Sequence, residues 1–238
     1  MTGPMVHSIT IDGVQVSAAE GETILQVARQ NDIDIPTLCN LEGISATGQC
    51  RLCMVEVKGT NRLVASCTAA AEDGMEIVTS NERIDRYRRM IVELLFAERN
   101  HFCAVCVANG HCDLQAMAQR LGVNHIEFDC LHPEFKVDAS HPQFEVDHNR
   151  CILCGRCVRV CDEIEGAHTR DFRNRGINTL IITDFDTPWG ESQTCTNCGK
   201  CVHVCPTGAL AEKGRSVAEM QKRRQFLPYL VMRREGAR

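Results

Sequence analysis

Apolar positions near the start of the chain follow two periods, and the switches between them predict its elements. Ser8 to Ile11 and Val14 to Ser17 are β-favouring runs separated by Asp12-Gly13, a two-residue hairpin signal. In the following GETILQVARQND, Ile24, Val27 and Ala28 fall on one helical face, and Pro36 keeps the helix from reaching Cys39. RLCMVEV and RLVASC flank Gly59-Thr60-Asn61 as a second hairpin, and GMEIVT offers one more strand. Two hairpins around one helix describe a small α+β domain ending near Thr79.

Helical spacing then takes over. Asn81 is a candidate N-cap for ERIDRYRRMIVELLFAE, where Ile84, Tyr87, Ile91, Leu94 and Leu95 form a stripe expected to be core. A short helix is expected from Asp113 to Leu121, and the residues up to 149, with Pro133 and Pro142, read as a connector. From Arg150 the texture changes: CILCGRCVRVC is answered by CTNCGKCVHVCP, an internal repeat. The tail opens on a capping-box pair, Ser216 and Glu219, and suits a packed helix or a docking segment equally well.

Composition narrows the class. The 238 residues are 44% hydrophobic and 24% charged, which describes a folded chain. Neither the opening MTGPMVHSIT nor Met90 to Ala97, interrupted by Glu93, is a leader or a membrane span, so no transmembrane segment and a cytoplasmic location are expected. Association with a membrane would come only through partners. A net charge of −5 argues against nucleic acid as a partner, since neutralising phosphates needs a basic surface. Only Lys213 to Arg238 is basic, with eight Lys or Arg against two Glu.

Sixteen cysteines without an export signal point to metal ligands rather than disulfides. Both halves of the repeat read C-x2-C-x2-C-x3-C, at Cys151, Cys154, Cys157, Cys161 and at Cys195, Cys198, Cys201, Cys205. In two-cluster bacterial ferredoxins the fourth cysteine of such a run ligates the other cluster. Cys151, Cys154, Cys157 and Cys205 are therefore expected to hold one [4Fe–4S] cluster, and Cys161, Cys195, Cys198 and Cys201 another. Gly155, Gly199 and Gly208 are expected to let backbone amides approach the sulfides. Asp162 stands where the pattern has a proline, as Pro206 does in the second run. Structural zinc also uses C-x2-C pairs, but two consecutive runs of four suit it poorly.

Cys39, Cys50, Cys53 and Cys67 are a stretched relative of the plant-type [2Fe–2S] order. Asn100 to Cys112, NHFCAVCVANGHC, offers Cys103, Cys106 and Cys112 for a further cluster and leaves one ligand open. His101, His111 and Cys130 compete for it. His111 adjoins Cys112, which hinders separate ligation, and spacing does not decide between His101 and Cys130. His132, His141 and His148 lack ligand spacing, and Trp189 is expected to pack, or to shield a cluster. No G-x-G-x-x-G follows a strand, so no dinucleotide site is expected in this chain.

Taken together, IPTLCNLEGI, CRLCMVEV, RRMIVELLFAERNHFCAVCVANGHC, DHNRCILCGRCVRVCDEIEGAH and CTNCGKCVHVCPTGAL resemble the diaphorase small (gamma) subunits of bidirectional NAD-reducing nickel–iron hydrogenases. The same order is similar to the N-terminal iron–sulfur region of the large complex I subunit and of iron-only hydrogenases. The resemblance implies an α+β chain made of a β-grasp [2Fe–2S] domain (1–80), a small helical [4Fe–4S] domain (81–121), a connector (122–140), a two-cluster ferredoxin-like domain (141–212) and a basic tail (213–238). It implies one [2Fe–2S] and three [4Fe–4S] clusters, the middle one ligated by His101, Cys103, Cys106 and Cys112. In the complex I pattern three residues separate that histidine from the first cysteine, whereas only Phe102 does so here.

The implied role is a non-catalytic electron-transfer subunit of an oxidoreductase complex. Its partners would be a flavin- and NAD-binding diaphorase subunit carrying FMN and NAD, and small and large hydrogenase subunits carrying the nickel–iron centre. The same relay in an NAD-linked formate dehydrogenase or a complex I-like enzyme is the first alternative, and a structural zinc scaffold the second.

Overall fold

The computed structural model describes residues 6–220, 222 and 224–235. Contacts divide the chain into two compact units, Met1–Asn40 with Ala46–Ile91, and Leu41–Ser45 with Val92–Arg238.

In the first unit, β1 (Val6–Ile11) and β2 (Val14–Ala19) pair across the Asp12-Gly13 turn, where both residues take the positive φ that such a turn demands. The expected strands lengthen at their outer ends. Thr23 caps α1 (Ile24–Gln30) through a capping box with Gln26. β3 (Met54–Val57), β4 (Arg62–Ala65) and β5 (Glu76–Val78) complete a sheet in the order β2-β1-β5-β3-β4, with β1 and β5 parallel. Ile24, Leu25, Val27 and Ala28 of α1 pack on Ile9, Ile11, Val55 and Ile77 of the sheet. A helix crossing a mixed sheet with a parallel central pair is the β-grasp arrangement.

Asn81 caps α2 (Glu82–Ala97) by accepting a hydrogen bond from the Ile84 amide at 2.9 Å. The buried row of α2 differs from the expected stripe: it runs Ile84, Arg88, Val92, while Leu94 is 45% exposed. Arg88 can occupy a buried position because its guanidinium donates to the carbonyls of Leu52 (3.0 Å) and Met54 (2.9 Å), on either side of Cys53. Replacing it by methionine keeps the volume and leaves those carbonyls without their cation. A loss of about 2–4 kcal/mol in the stability of this unit is expected. Denaturant unfolding followed by circular dichroism checks this, and a loss below about 0.5 kcal/mol, the size of an ordinary surface substitution, would show that the contacts are incidental.

In the second unit, α3 (Asp113–Leu121) spans the residues expected of it and ends on Gly122, whose φ is +68°. The expectation of a plain connector up to 149 is corrected, because β6 (Val137–Asp138) and β7 (Phe144–Asp147) lie within it. FEVD alternates, and Phe144 and Val146 point into the core. α4 (Arg156–Arg159) continues as a π-helical turn, Val160–Glu165; β8 (Arg170–Arg173) and β9 (Leu180–Thr183) form a hairpin; α5 (Lys200–Val204) leads to β10 (Leu210–Glu212). β10 pairs with β7, joining the segment before the first cysteine run to the segment after the second.

The repeat extends to the backbone. Leu153 and Asn197, then Gly155 and Gly199, occupy matching left-handed positions before α4 and α5. The two runs part at their ends. Pro206 has no N–H and follows the end of α5, whereas Asp162 keeps its N–H within the π-helical turn. α6 (Val217–Met220) starts from the Ser216–Glu219 box. In α7 (Phe226–Glu235) Leu227 is fully buried beside Ile44, Val160 and Val204, so the start of this helix is packed.

Candidate metal centres

In the first unit Cys39, Cys53 and Cys67 are fully buried and Cys50 is half-buried. The amides of Leu38 and Cys39 donate to the Cys50 sulfur, and the Cys50 amide donates to the Cys39 sulfur, each at 3.4 Å. The loop can fold back on its own sulfurs because Arg51, between Cys50 and Leu52, takes φ +57°. The sulfurs of Cys53 and Cys67 are hydrogen-bonded to each other at 3.4 Å. That bond holds Cys53 down to about 6 and pushes Cys67 above the ordinary thiol range. Amide donors around four converging sulfurs suit an anionic group, and iron would replace the remaining protons.

In the second unit three cavities sort the remaining ligand candidates. Cys151, Cys154, Cys157 and Cys205 line one, together with apolar side chains such as Val146, Ile152 and Leu210. Cys161, Cys195, Cys198 and Cys201 line another, with Arg170, Trp189 and Lys200. The fourth cysteine of each run thus lines the other run's cavity, as the ferredoxin pattern predicts. Burial pushes Cys151 up to about 12, and Cys154 and Cys201 up to about 11, so a metal bound there would have to displace protons. Among the described residues no group of three or more His, Cys, Asp or Glu is placed to hold a single metal ion.

His101, Cys103, Cys106 and Cys112 line the third cavity. A short turn, Cys103–Val105, sets the first two cysteines, and Cys112 occupies the N-cap of α3. His101 is held by Phe96, edge-on at 5.4 Å, and its buried Nε2 has no hydrogen-bond partner. Burial, with Arg150 and Arg99 adding to it, lowers its pKa to about 4 and keeps it in the neutral form that ligates metals. An unpartnered buried imidazole nitrogen beside a cavity of three thiols fits a cluster ligand. Cys130 is exposed and does not line this cavity, and His111 lines a separate pocket with Lys222 and Arg224.

One sequence expectation changes its meaning. Gly155 and Gly199 serve the turns before α4 and α5, but Gly208 serves another site: a Cβ there would lie 2.8 Å from the Cys106 sulfur. Its smallness makes room for the histidine-containing set. His141 proves structural. Its Nε2 is bonded to Asn197 at 2.6 Å, and its Nδ1 accepts from the amides of Gln143 and Phe144. Spacing gives no sign of the arginines beside the thiols: Arg99, Arg156, Arg159 and Arg170 are all less than 10% exposed. No periodic signal marks them, because each is placed by contacts across the fold.

Fold and thiol arrangement define an iron–sulfur protein with a [2Fe–2S] ferredoxin-like domain followed by [4Fe–4S] regions. The chain matches family models for a 2Fe-2S iron-sulfur cluster binding domain at residues 5–82, an NADH-ubiquinone oxidoreductase-G iron-sulfur binding region at 88–127, and the ferredoxin-like domain of NADH-quinone oxidoreductase subunit 3 at 141–211. It is 41% identical over 87% of its length to the NADPH-Fe(3+) oxidoreductase subunit alpha of Geobacter sulfurreducens, and 39% identical over 86% to the NADP-reducing hydrogenase subunit HndD of Solidesulfovibrio fructosivorans. It spans only 24% and 36% of those longer proteins. With the NAD-reducing hydrogenase HoxS subunit gamma of Cupriavidus necator it shares 32% identity over 88% of both chains. A chain in the crystal structure of an NAD+-reducing [NiFe]-hydrogenase in the H2-reduced state superimposes with a TM-score of 0.83 at 36% identity, again over 88% of both. The chain belongs to the family of the gamma subunit of NAD-reducing hydrogenase.

Proposed function

We propose that this chain is the electron-relay subunit of a cytoplasmic NAD-reducing hydrogenase. In this reading it passes single electrons between the flavin of a diaphorase partner, which carries FMN and binds NAD, and the small and large hydrogenase subunits that carry nickel and iron. The observation that supports it most is the sorting of the second unit's twelve candidate ligands into three separate cavities, four to each. Cys39, Cys50, Cys53 and Cys67 would hold one [2Fe–2S] cluster. His101 with Cys103, Cys106 and Cys112, Cys151 with Cys154, Cys157 and Cys205, and Cys161 with Cys195, Cys198 and Cys201 would hold three [4Fe–4S] clusters.

When bound, such clusters supply one-electron steps that a flavin can couple to two-electron hydride chemistry at NAD. The chain's own residues bury the sulfurs, donate amide hydrogen bonds to them and surround them with guanidinium groups. The corresponding modules are 1–80, 81–121 and 141–212, with 122–140 linking the last two and 213–238 as the tail. Among the described residues no helix is long and apolar enough to cross a membrane.

The test is the isolated full chain, reconstituted anaerobically. It is expected to bind about fourteen irons, to give [2Fe–2S] and [4Fe–4S] EPR signals on reduction with dithionite, and to show no NADH-driven dye reduction. Bound zinc without EPR signals would favour the scaffold, and NADH oxidation by the chain alone would overturn the relay. Co-purification with a flavoprotein and a nickel protein is expected from the native complex. Recovery with a formate-oxidising partner instead would move the same relay to another enzyme.

A further inference from the structure

Trp189 is the only tryptophan in the chain and is 1% exposed. Its indole Nε1 donates to the sulfur of Cys195 at 3.3 Å. Its ring is held on several sides: His141 lies 4.9 Å away and Phe144 5.4 Å, between ring centroids, and the Arg170 guanidinium carbon lies 3.8 Å above it. The Trp189 amide donates to Asp138 at 2.7 Å, and the next amide, Gly190, to the Ser140 hydroxyl at 2.8 Å. His141 also bonds Asn197, which lies between Cys195 and Cys198. The donor is thus fixed relative to the loop that presents its acceptor.

Arg170 is 4% exposed and forms no ion pair among the described residues. One of its terminal nitrogens donates to Thr183 at 3.0 Å, and the other, Nη2, is buried without a partner. A buried guanidinium is costly unless negative groups compensate it; Asp138 and Asp184 act on Arg170 through space, and its unpartnered Nη2 is left for a further one. Arg170 and Trp189 line the same cavity as Cys161, Cys195, Cys198 and Cys201.

The sister cavity has no such pair. The side-chain hydroxyl near one of its sulfurs is that of Thr207, 3.8 Å from Cys205, and its single proton is given to the Arg150 carbonyl at 2.7 Å. The donor to Cys151 is the backbone amide of Leu153.

We infer that Trp189, as a donor to the Cys195 sulfur, and Arg170, as a fixed positive charge stacked on its indole, are positioning residues that raise the reduction potential of the centre at Cys161, Cys195, Cys198 and Cys201. Reduction adds one negative charge to a thiolate-ligated centre. A hydrogen bond to a ligand sulfur and a nearby cation both stabilise the reduced form more than the oxidised one. The sister thiols have the Leu153 amide on Cys151 and the charges of Arg156 and Arg159 acting on Cys154, but no indole donor, so the contribution of Trp189 is confined to the Cys195 side. This inference rests on the proposed reading that these four cysteines hold a cluster.

The experiment uses the reconstituted full chain with its one indole labelled with 15N. Iron content and the intensity of the [4Fe–4S] EPR signals test the underlying reading. Electron–nuclear double resonance on the reduced protein is expected to couple one cluster signal to the labelled nitrogen and its exchangeable proton. Trp189→Phe keeps the ring and removes the donor. It is expected to shift the reduction equilibrium of that signal about tenfold toward the oxidised form, about 59 mV for one electron, with the other signals unmoved. Arg170→Met is expected to shift the same signal in the same direction. Full iron loading without indole coupling would overturn the inference even if neither variant folds, and so would equal shifts in all signals. Failure to load iron at this site in the unsubstituted chain would overturn the reading beneath it.

Discussion

Cys205→Ala is expected to eliminate the [4Fe–4S] centre of the first cysteine run while sparing that of its own run, and Cys161→Ala is expected to do the reverse. Sequence proximity alone would pair Cys205 with Cys201. The fold places it instead in the cavity of Cys151, Cys154 and Cys157, because β10, immediately after it, pairs with β7, just ahead of the first run. Iron should fall by about four per chain in either variant. Removing one of four ligands from a structural metal site forfeits much of a binding energy on the order of 10 kcal/mol, more than the whole stability of many domains. Faster proteolysis around the emptied cavity should accompany the loss.

A double substitution separates the two pairings. If Cys205 shares a centre with Cys154, the Cys154→Ala/Cys205→Ala chain should lose no more iron than Cys205→Ala alone, whereas adding Cys198→Ala should cost a second set of about four. Strong non-additivity within a shared site, and additivity between independent sites, is the expected behaviour. The opposite pattern, with Cys198 silent in the Cys205→Ala background, would show that each run keeps its own centre.

Much of the first unit can be read from local chemistry. Asp12-Gly13 sets a hairpin, Thr23 and Gln26 set a cap, and alternating strands bury one face. The stripe on α2 was misleading because periodicity counts apolar residues. A buried arginine such as Arg88 is stabilised by the carbonyls of Leu52 and Met54, which lie far from it in sequence. β7 carried a short alternating signal in FEVD, and LIIT of β9 a β-branched one, but each is only four residues long, between loops rich in turn formers. The cysteine runs were legible down to which thiols line which cavity, because the inorganic chemistry of such runs fixes their spacing. The side chains around those thiols were not. Arg170 and Trp189 meet across long loops, and no spacing rule links them.

The middle centre shows where spacing stops being informative, and it yields the second large effect. His101 and Cys130 were equal candidates by count, yet His101 lines the cavity of Cys103, Cys106 and Cys112 with an unpartnered Nε2, and Cys130 is exposed elsewhere. Cys130→Ala is therefore expected to leave iron content and every cluster potential unchanged. His101→Ala should lose the middle centre or leave it short of one iron. His101→Cys is the sharper variant, because a thiolate in place of neutral imidazole adds one negative charge to the site. In Rieske centres two histidines accompany potentials several hundred millivolts above those of all-cysteine ferredoxins. A fall on the order of 100 mV is thus expected for one exchanged ligand, read by EPR-monitored redox titration, with the other three centres as internal controls. An unmoved potential would mean that the imidazole is not bound to iron, and loss of the centre in Cys130→Ala would transfer the fourth place to that thiol. A centre raised in this way suits a branch or holding point better than a step in line. Restoring the fourth thiolate should therefore also shorten the time that electrons spend on it in freeze-quenched samples of the complex.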